Sequence, residues 1–255
     1  MPLPKIATPT YELVLPSTGK KIKYRPFLVK EEKILVLALE SEDVTQITNA
    51  IKAILKDCIS TRIKVDNLPT FDIEYLFLNI RAKSVGEALD LVVTCPDDNE
   101  TTVPVKVFID EIEVLQDEDH STDINLDDIE VQKNDEHTKQ IKLDDNLMME
   151  LKYPSLEQFI KNNFDFDEKN AMDQSFDLIS TCIDKIYNED EVWAAADCTK
   201  KEVKDFLESM NSSQFKEIET FFETMPKLSH TLKVTNPNTK VESEVVLEGL
   251  SSFFD

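Results

Sequence analysis

The sequence predicts an α+β chain, with β-hairpins at its start, middle and C-terminus and helical bundles between them. Three observations carry this reading. Apolar and polar residues alternate on both sides of short turns rich in Pro, Asn, Asp and Gly, which is the period of a half-buried strand. Between those stretches, apolar residues recur every three or four positions, several times after a capping residue. A run dominated by Asp and Glu, Asp110 to Glu136, lies between the two halves.

The first hairpin spans Tyr11 to Phe27 and turns at Pro16-Ser17-Thr18-Gly19; Pro26 ends its second strand. Two helices follow, one from about Lys30 to Leu39. The other is opened by Ser41 or Asp43 and carries Val44, Ile47, Ile51, Ile54, Leu55 and Cys58 on one face. Thr70 is positioned to cap a third helix bearing Ile73, Leu76, Phe77 and Ile80. Leu89–Cys95 and Thr102–Phe108 form a second hairpin around Pro96 to Glu100, with Pro104 marking an edge strand. The acidic run reads as a solvated connector or a short acidic strand covering a sheet edge. It lacks the glycine that an EF-hand loop requires.

Beyond it, Lys139–Leu143 and Leu147–Tyr153 read as a third strand pair. Ser155–Gln158 matches a capping box. Phe176, Ile179, Ile183 and Ile186 form a helical face, and Thr199–Glu202 is a second capping box before Val203, Phe206, Leu207 and Met210. Ser212 or Ser213 opens a helix with Phe215, Ile218, Phe221 and Phe222, which Pro226 stops. Ser229–Leu247 is a closing hairpin that turns at Asn236–Lys240. The resulting division is a 1–116 hairpin–helix–hairpin domain, a 117–136 acidic connector, and a 137–255 domain of strand pair, helical bundle and hairpin.

Composition excludes several functions. The net charge is −23, the wrong sign for neutralising phosphates or approaching an anionic bilayer, so neither nucleic acid nor membrane is an expected partner. The three glycines, Gly19, Gly86 and Gly249, lie too far apart for a phosphate-cradling loop. Met1–Ile6 lacks the basic-then-apolar pattern of a secretory signal, and the longest apolar run, Ile34 to Leu39, is too short to span a bilayer. The expectation is a chain that stays in the cytosol where it is made, with Cys58, Cys95, Cys182 and Cys198 reduced.

Leu91-Val-Val-Thr-Cys-Pro96 and Leu232-Lys-Val-Thr-Asn-Pro237 share Leu, Val, Thr and Pro in register. Such hairpins are the skeleton of a zinc ribbon, which holds its metal with four ligands. Here the knuckles offer Cys95 and Asn236, so these are ribbons that lost their metal or hairpins that never had one. No GxSxG is present, and His120, His137 and His230 have no nucleophile beside them in sequence. Carboxylate pairs recur throughout, so none stands out as an acid/base couple. No catalytic, cofactor or metal residue is assigned. Trp193 packs in a core or anchors a partner, and the apolar end, Leu250, Phe253 and Phe254, packs on its own helices or inserts into a partner's groove.

The opening Tyr11-Glu-Leu-Val-Leu-Pro-Ser-Thr-Gly-Lys-Lys-Ile-Lys-Tyr-Arg-Pro-Phe-Leu-Val-Lys-Glu-Glu-Lys-Ile-Leu37 resembles that of baseplate proteins of T-even-like contractile-tailed bacteriophages. Phe215–Phe222, Met225–Leu228, His230, Asn236–Thr239 and Leu247–Phe254 resemble that family's closing segment. The resemblance implies a role in building the baseplate hub through protein contacts, not catalysis. That family includes a hub subunit and a hub assembly factor, and some relatives carry CPxC knuckles at the places of Cys95 and Asn236. The expected function is an assembly factor, chaperone-like toward hub or tape-measure components. The alternatives are a structural hub subunit in the virion and a metal-binding regulatory module. The expected place is the host cytoplasm, or the virion tail for a structural subunit. The expected contact residues are Tyr24, Arg25 and Phe27, with Trp193, Leu250, Phe253 and Phe254.

Overall fold

The computed structural model describes residues 7–41, 43–126, 147–156, 171–249 and 252. Six α-helices and eleven strands occur among them, the strands gathered into four small antiparallel sheets, which makes the chain α+β. Two compact units result. The first comprises Met1–Leu115, Ser155–Phe166 and Pro226–Asp255; the second comprises Gln116–Pro154 and Asp167–Met225. This division differs from a split into 1–116 and 137–255, because the closing hairpin pairs with a strand at the end of the first stretch.

The first unit opens with β1 (Tyr11–Val14) and β2 (Lys21–Tyr24), followed by α1 (Val29–Glu40), α2 (Val44–Cys58) and α3 (Thr70–Val85). Asp43 caps α2, its Oδ1 accepting from the Thr45 and Gln46 N–H groups (2.8 and 3.1 Å). Thr70 lies inside α3, and Pro69 takes the cap position. The α3 helix is buried around its whole circumference by Phe71, Ile73, Leu76, Phe77, Leu78, Ile80 and Ala82. A helix apolar on every side has to sit in the middle of a core, and the rest of the unit is laid around it.

The second hairpin, β3 (Ala88–Thr94) with β4 (Thr102–Phe108), buries Leu89, Leu91, Val93 and Val107 in that core. Pro104 in β4 faces Val92, so β4 is the outer strand of a two-stranded ladder. β5 (Glu113–Leu115) then forms one edge of a three-stranded sheet with β10 (Lys227–Thr235) and β11 (Glu242–Glu248). Part of the acidic run is therefore an edge strand. The two longer hairpins match each other: β4 and β11 have the same alternating burial, and Leu91/Leu232 and Val93/Val234 occupy equivalent inward positions.

All three hairpins of this unit turn through one kind of knuckle. Leu15, Cys95 and Asn236 each precede a proline, and each carbonyl accepts the N–H four residues on, from Gly19, Asn99 and Lys240 (2.9 Å in every case). The donor residue has positive φ each time: 65° at Gly19, 55° at Asn99 and 65° at Lys240. Proline presets the entry to the turn. The left-handed fifth residue reverses the chain, which suits Gly and Asn and strains Lys.

The second unit places β6 (Asp123–Asn125), β7 (Met148–Leu151), β8 (Ile183–Tyr187) and β9 (Val192–Ala194) side by side in one sheet. Its helices are α4 (Ala171–Cys182), α5 (Lys200–Ser209) and α6 (Ser212–Thr224). The core joins Met149, Leu151, Ile179, Ile183, Leu207, Ile218 and Phe221. Ile183 and Ile186 lie on strand β8, not on the helix; α4 ends at Cys182 and passes into the strand without a loop. The β-branched Ile183-Asp-Lys-Ile186 gains ladder bonds on both sides there, from β7 and β9. Thr199 and Glu202 form the expected capping box, Glu202 Oε2 accepting from Thr199 N–H (2.7 Å). The cap of α6 is Asn211 rather than Ser212 or Ser213, in a reciprocal pair with Gln214 (2.9 Å both ways). The Lys139–Leu143 strand and the Ser155–Gln158 capping box involve residues outside those described, as does the whole 127–136 stretch. The strand that pairs with β7 on this side is β6.

Replacing Ile73 on α3 by Ala should cost about 2–5 kcal/mol, read as a lower urea midpoint. Lys240→Gly should instead raise the midpoint, by up to about 1 kcal/mol of relieved left-handed strain.

Candidate functional site

Helix α1 breaks the pattern that its neighbour obeys. α2 buries Ile47, Ala50, Ile51, Ile54, Leu55 and Cys58 and turns polar residues outward. α1 is apolar almost all round, yet it buries only Glu31 and Ala38, with Leu35 half-covered. Val29 (79% exposed), Ile34, Val36, Leu37 (55%) and Leu39, with Leu28 just before them, stay in solvent. Six of the fourteen large apolar side chains exposed among the described residues therefore lie between positions 28 and 39. Such concentration on one short helix marks an interaction surface, whereas scattered exposed apolar residues carry no such meaning. The unbroken Ile34–Leu39 run does not give this exposure away, because apolar residues all round a helix equally suit one buried in a core.

The helix is held in place by a buried ion pair. Glu31 is 1% exposed; its Oε1 accepts from Arg25 Nη2 (2.9 Å) and Lys30 Nζ (3.0 Å), and its Oε2 from the Leu28 N–H (2.7 Å). Burial alone would raise the Glu31 pKa. The hydrogen bonds from Arg25, Leu28 and Lys30 outweigh it and hold the pKa at about 2, against 4.5 ordinarily. Arg25 also donates to its own Pro26 carbonyl (2.9 Å) and is itself shifted upward, chiefly by the Glu31 hydrogen bond.

The residues expected to contact a partner sit as follows. Tyr24 is 2% exposed, 5.8 Å from the Tyr11 ring centre, and belongs to the core. Arg25 is engaged with Glu31, and Phe27 is half-buried against the same core, its N–H donating to Ser84 Oγ (2.9 Å). Trp193, opposite Ile186 across the β8–β9 ladder, is half-buried against the second core. Leu250, Phe253 and Phe254 lie outside the described residues. The structure brings Tyr24, Arg25 and Phe27 together at the foot of α1, where they support that helix rather than extend from it.

The two long hairpins meet at their knuckles. Asn236, 1% exposed, places Nδ2 3.0 and 3.1 Å from the Asp97 oxygens and 2.8 Å from Asp98 Oδ2. Its Oδ1 accepts from the Asn238 N–H (2.8 Å). The Thr239 hydroxyl, then Asn236, hold Asp97 below the usual carboxylate range; the Thr101 hydroxyl and N–H do the same for Asp98. A zinc ribbon would need two ligands from each knuckle. The donor set here is one thiol beside amide, hydroxyl and carboxylate groups already bonded to one another, which does not fit that site. No group of three or more His, Cys, Asp or Glu side chains among the described residues is placed to hold a metal ion.

His120, in the second unit, is a strut. Its Nδ1 is 2.9 Å from Thr224 Oγ1 and its Nε2 is 3.0 Å from the Tyr153 hydroxyl. The Thr224 hydroxyl donates to the Thr220 carbonyl (2.7 Å), so it accepts from Nδ1–H and leaves Nε2 to accept from Tyr153. Burial among Tyr153 and Phe221 lowers its pKa. A shallow open groove of about 430 Å³ lies elsewhere in this unit, floored by Phe176, Leu207, Met210 and Phe215 and edged by Glu208 and Glu219.

Comparison with known proteins adds one match. A family model described as T4 bacteriophage base plate protein matches residues 8–123 and 115–255, which together cover nearly the whole chain. No curated protein and no solved structure matches.

Because the Glu31 pKa is depressed on folding, its stabilisation is complete above pH 4.5 and disappears as pH falls toward about 2. Glu31→Gln should therefore flatten the fall in unfolding free energy across that window by about 3 kcal/mol, measured by urea titration at several pH values.

Proposed function

We propose that this chain, which belongs to the family of the T4 bacteriophage base plate protein, is a baseplate hub assembly factor that acts by binding other tail proteins. The match across both ends of the sequence supports the baseplate role. The observation that favours binding is the apolar α1 helix left in solvent on a chain of net charge −23. Acidic surfaces attract basic partners and keep a protein with exposed apolar side chains dispersed. A factor with both properties can hold an incomplete hub or tape-measure component until assembly proceeds. Leu250, Phe253 and Phe254 are proposed as a second contact at the C-terminal end. No catalytic residue is assigned to this function, and no helix among the described residues is long and apolar enough to cross a membrane.

Retention in the finished tail would favour the second reading, a structural hub subunit. The firm turns and the hydrogen-bonded clasp between the two hairpins of the first unit suit a permanent part as well as a transient one. Quantitative mass spectrometry of purified virions should find the chain absent or far below stoichiometry, while infected cells lacking it should accumulate tails without complete baseplates. Stoichiometric presence in virions would replace the assembly reading with the structural one.

A further inference from the structure

We infer that α1 is the docking face for a basic amphipathic helix of another tail protein, its apolar stripe against Val29, Val36 and Leu37 and a cation at the C-terminal end of α1. The inference rests on the reading of this chain as a baseplate protein that works by binding, and it names the partner's chemistry.

The apolar half of the argument is the exposure. Val29, Lys33, Val36 and Glu40 follow one another along the outward ridge at helical spacing, with Leu37 on one flank; Ile34 lies farther round, beside the buried Ala38. A helix laid along this ridge would remove Val29, Val36 and Leu37 from water, with the exposed Lys33 side chain lying between them. Helix-in-groove recognition uses the same spacing of anchors.

The charge half is the helix end. The last turn of α1 carries Glu40 and no basic residue, and Asp43 follows at the head of α2; both are exposed. The carbonyl end of a helix already bears partial negative charge, so a carboxylate there lacks its usual counterpart. Lysines ordinarily complete such an end, and a partner's Lys or Arg would do so here. Lys30 is engaged with Glu31, so it does not neutralise this end. A second copy is the poorer occupant, since two chains each of net charge −23 repel.

The test uses the full-length chain and two synthetic helical peptides, one with a leucine stripe flanked by lysines and one with the same stripe flanked by glutamates. The lysine peptide should bind the wild type, and V36Q/L37Q should weaken it about tenfold or more. Glu40→Lys should weaken it about threefold, less so at high salt. Val36 and Leu37 are exposed and Gln favours helix, so unfolding temperature should be unchanged; E40K suits the helix dipole and gives a second, independently folded variant. Equal affinity of wild type and V36Q/L37Q would overturn the inference. So would equal binding of the glutamate peptide, or sedimentation of the wild type as a dimer that V36Q/L37Q converts to monomer. These measurements involve no virions, so their failure would leave the baseplate role to stand or fall on its own experiment.

Discussion

Burial of α3 is the constraint on which the first unit depends. A sixteen-residue helix with apolar side chains on every side has no solvent face to offer. The chain must bring other elements to it from all directions, and it draws them from distant places in the sequence: β1–β2, β3–β4, β10–β11 and α2 all contribute to one core. Burial on this scale also traps polar groups. Asp72, on the first turn of α3, is fully buried, and its carboxylate accepts from the N–H and hydroxyl of Ser17 in the first knuckle. Desolvation raises its pKa despite those bonds. The helix that organises the core therefore also fixes the first turn.

Much of this was visible in the sequence, because much of it is local. Strand alternation around X-Pro turns identified every hairpin of the first unit, and capping residues placed α2 and α5. What was not visible depends on partners far away. Ile183 and Ile186 fit a helical face as well as they fit a strand, and only β7 and β9 on either side decide between them. β5 and β6 are three residues each, too short to show a period. Tyr24, Arg25 and Phe27 look exposed when the hairpin is considered alone; Ile59 bridges to Tyr24, and the Arg25 N–H bonds the Cys58 carbonyl, so the end of α2 closes over that strand. The exposed face of α1 was hidden for the opposite reason. Its apolar run implied burial, and the core it would have entered is filled by α2 and α3.

The facing knuckles show how one backbone plan admits different chemistry. Proline, a polar pair and a left-handed fifth residue set the path of each turn, whatever occupies the first position. With that path fixed, Asn236 supplies an amide to two carboxylates that would otherwise repel each other, and Thr239 adds a hydroxyl. The clasp is directional and dry at its centre, since Asn236 is buried while the aspartates remain wetted at the rim. It cross-links two hairpins that lie far apart in sequence.

Leu115 and Lys227 are register partners, so the second unit leaves and rejoins the three-stranded sheet at neighbouring positions on one ladder. During synthesis, β5 emerges long before the strand that will cover it, and its hydrogen-bonding edge has no mate until the ribosome reaches Lys227. The second unit, most of whose core residues come from Ile124 through Phe221, is translated entirely within that interval. Completion of the first core therefore needs strands translated after the second unit, since β10 and β11 bring Leu228 and Leu247 to it. A chain stalled or cleaved before that point would carry an open sheet edge, with the attendant hazard of strand-to-strand aggregation.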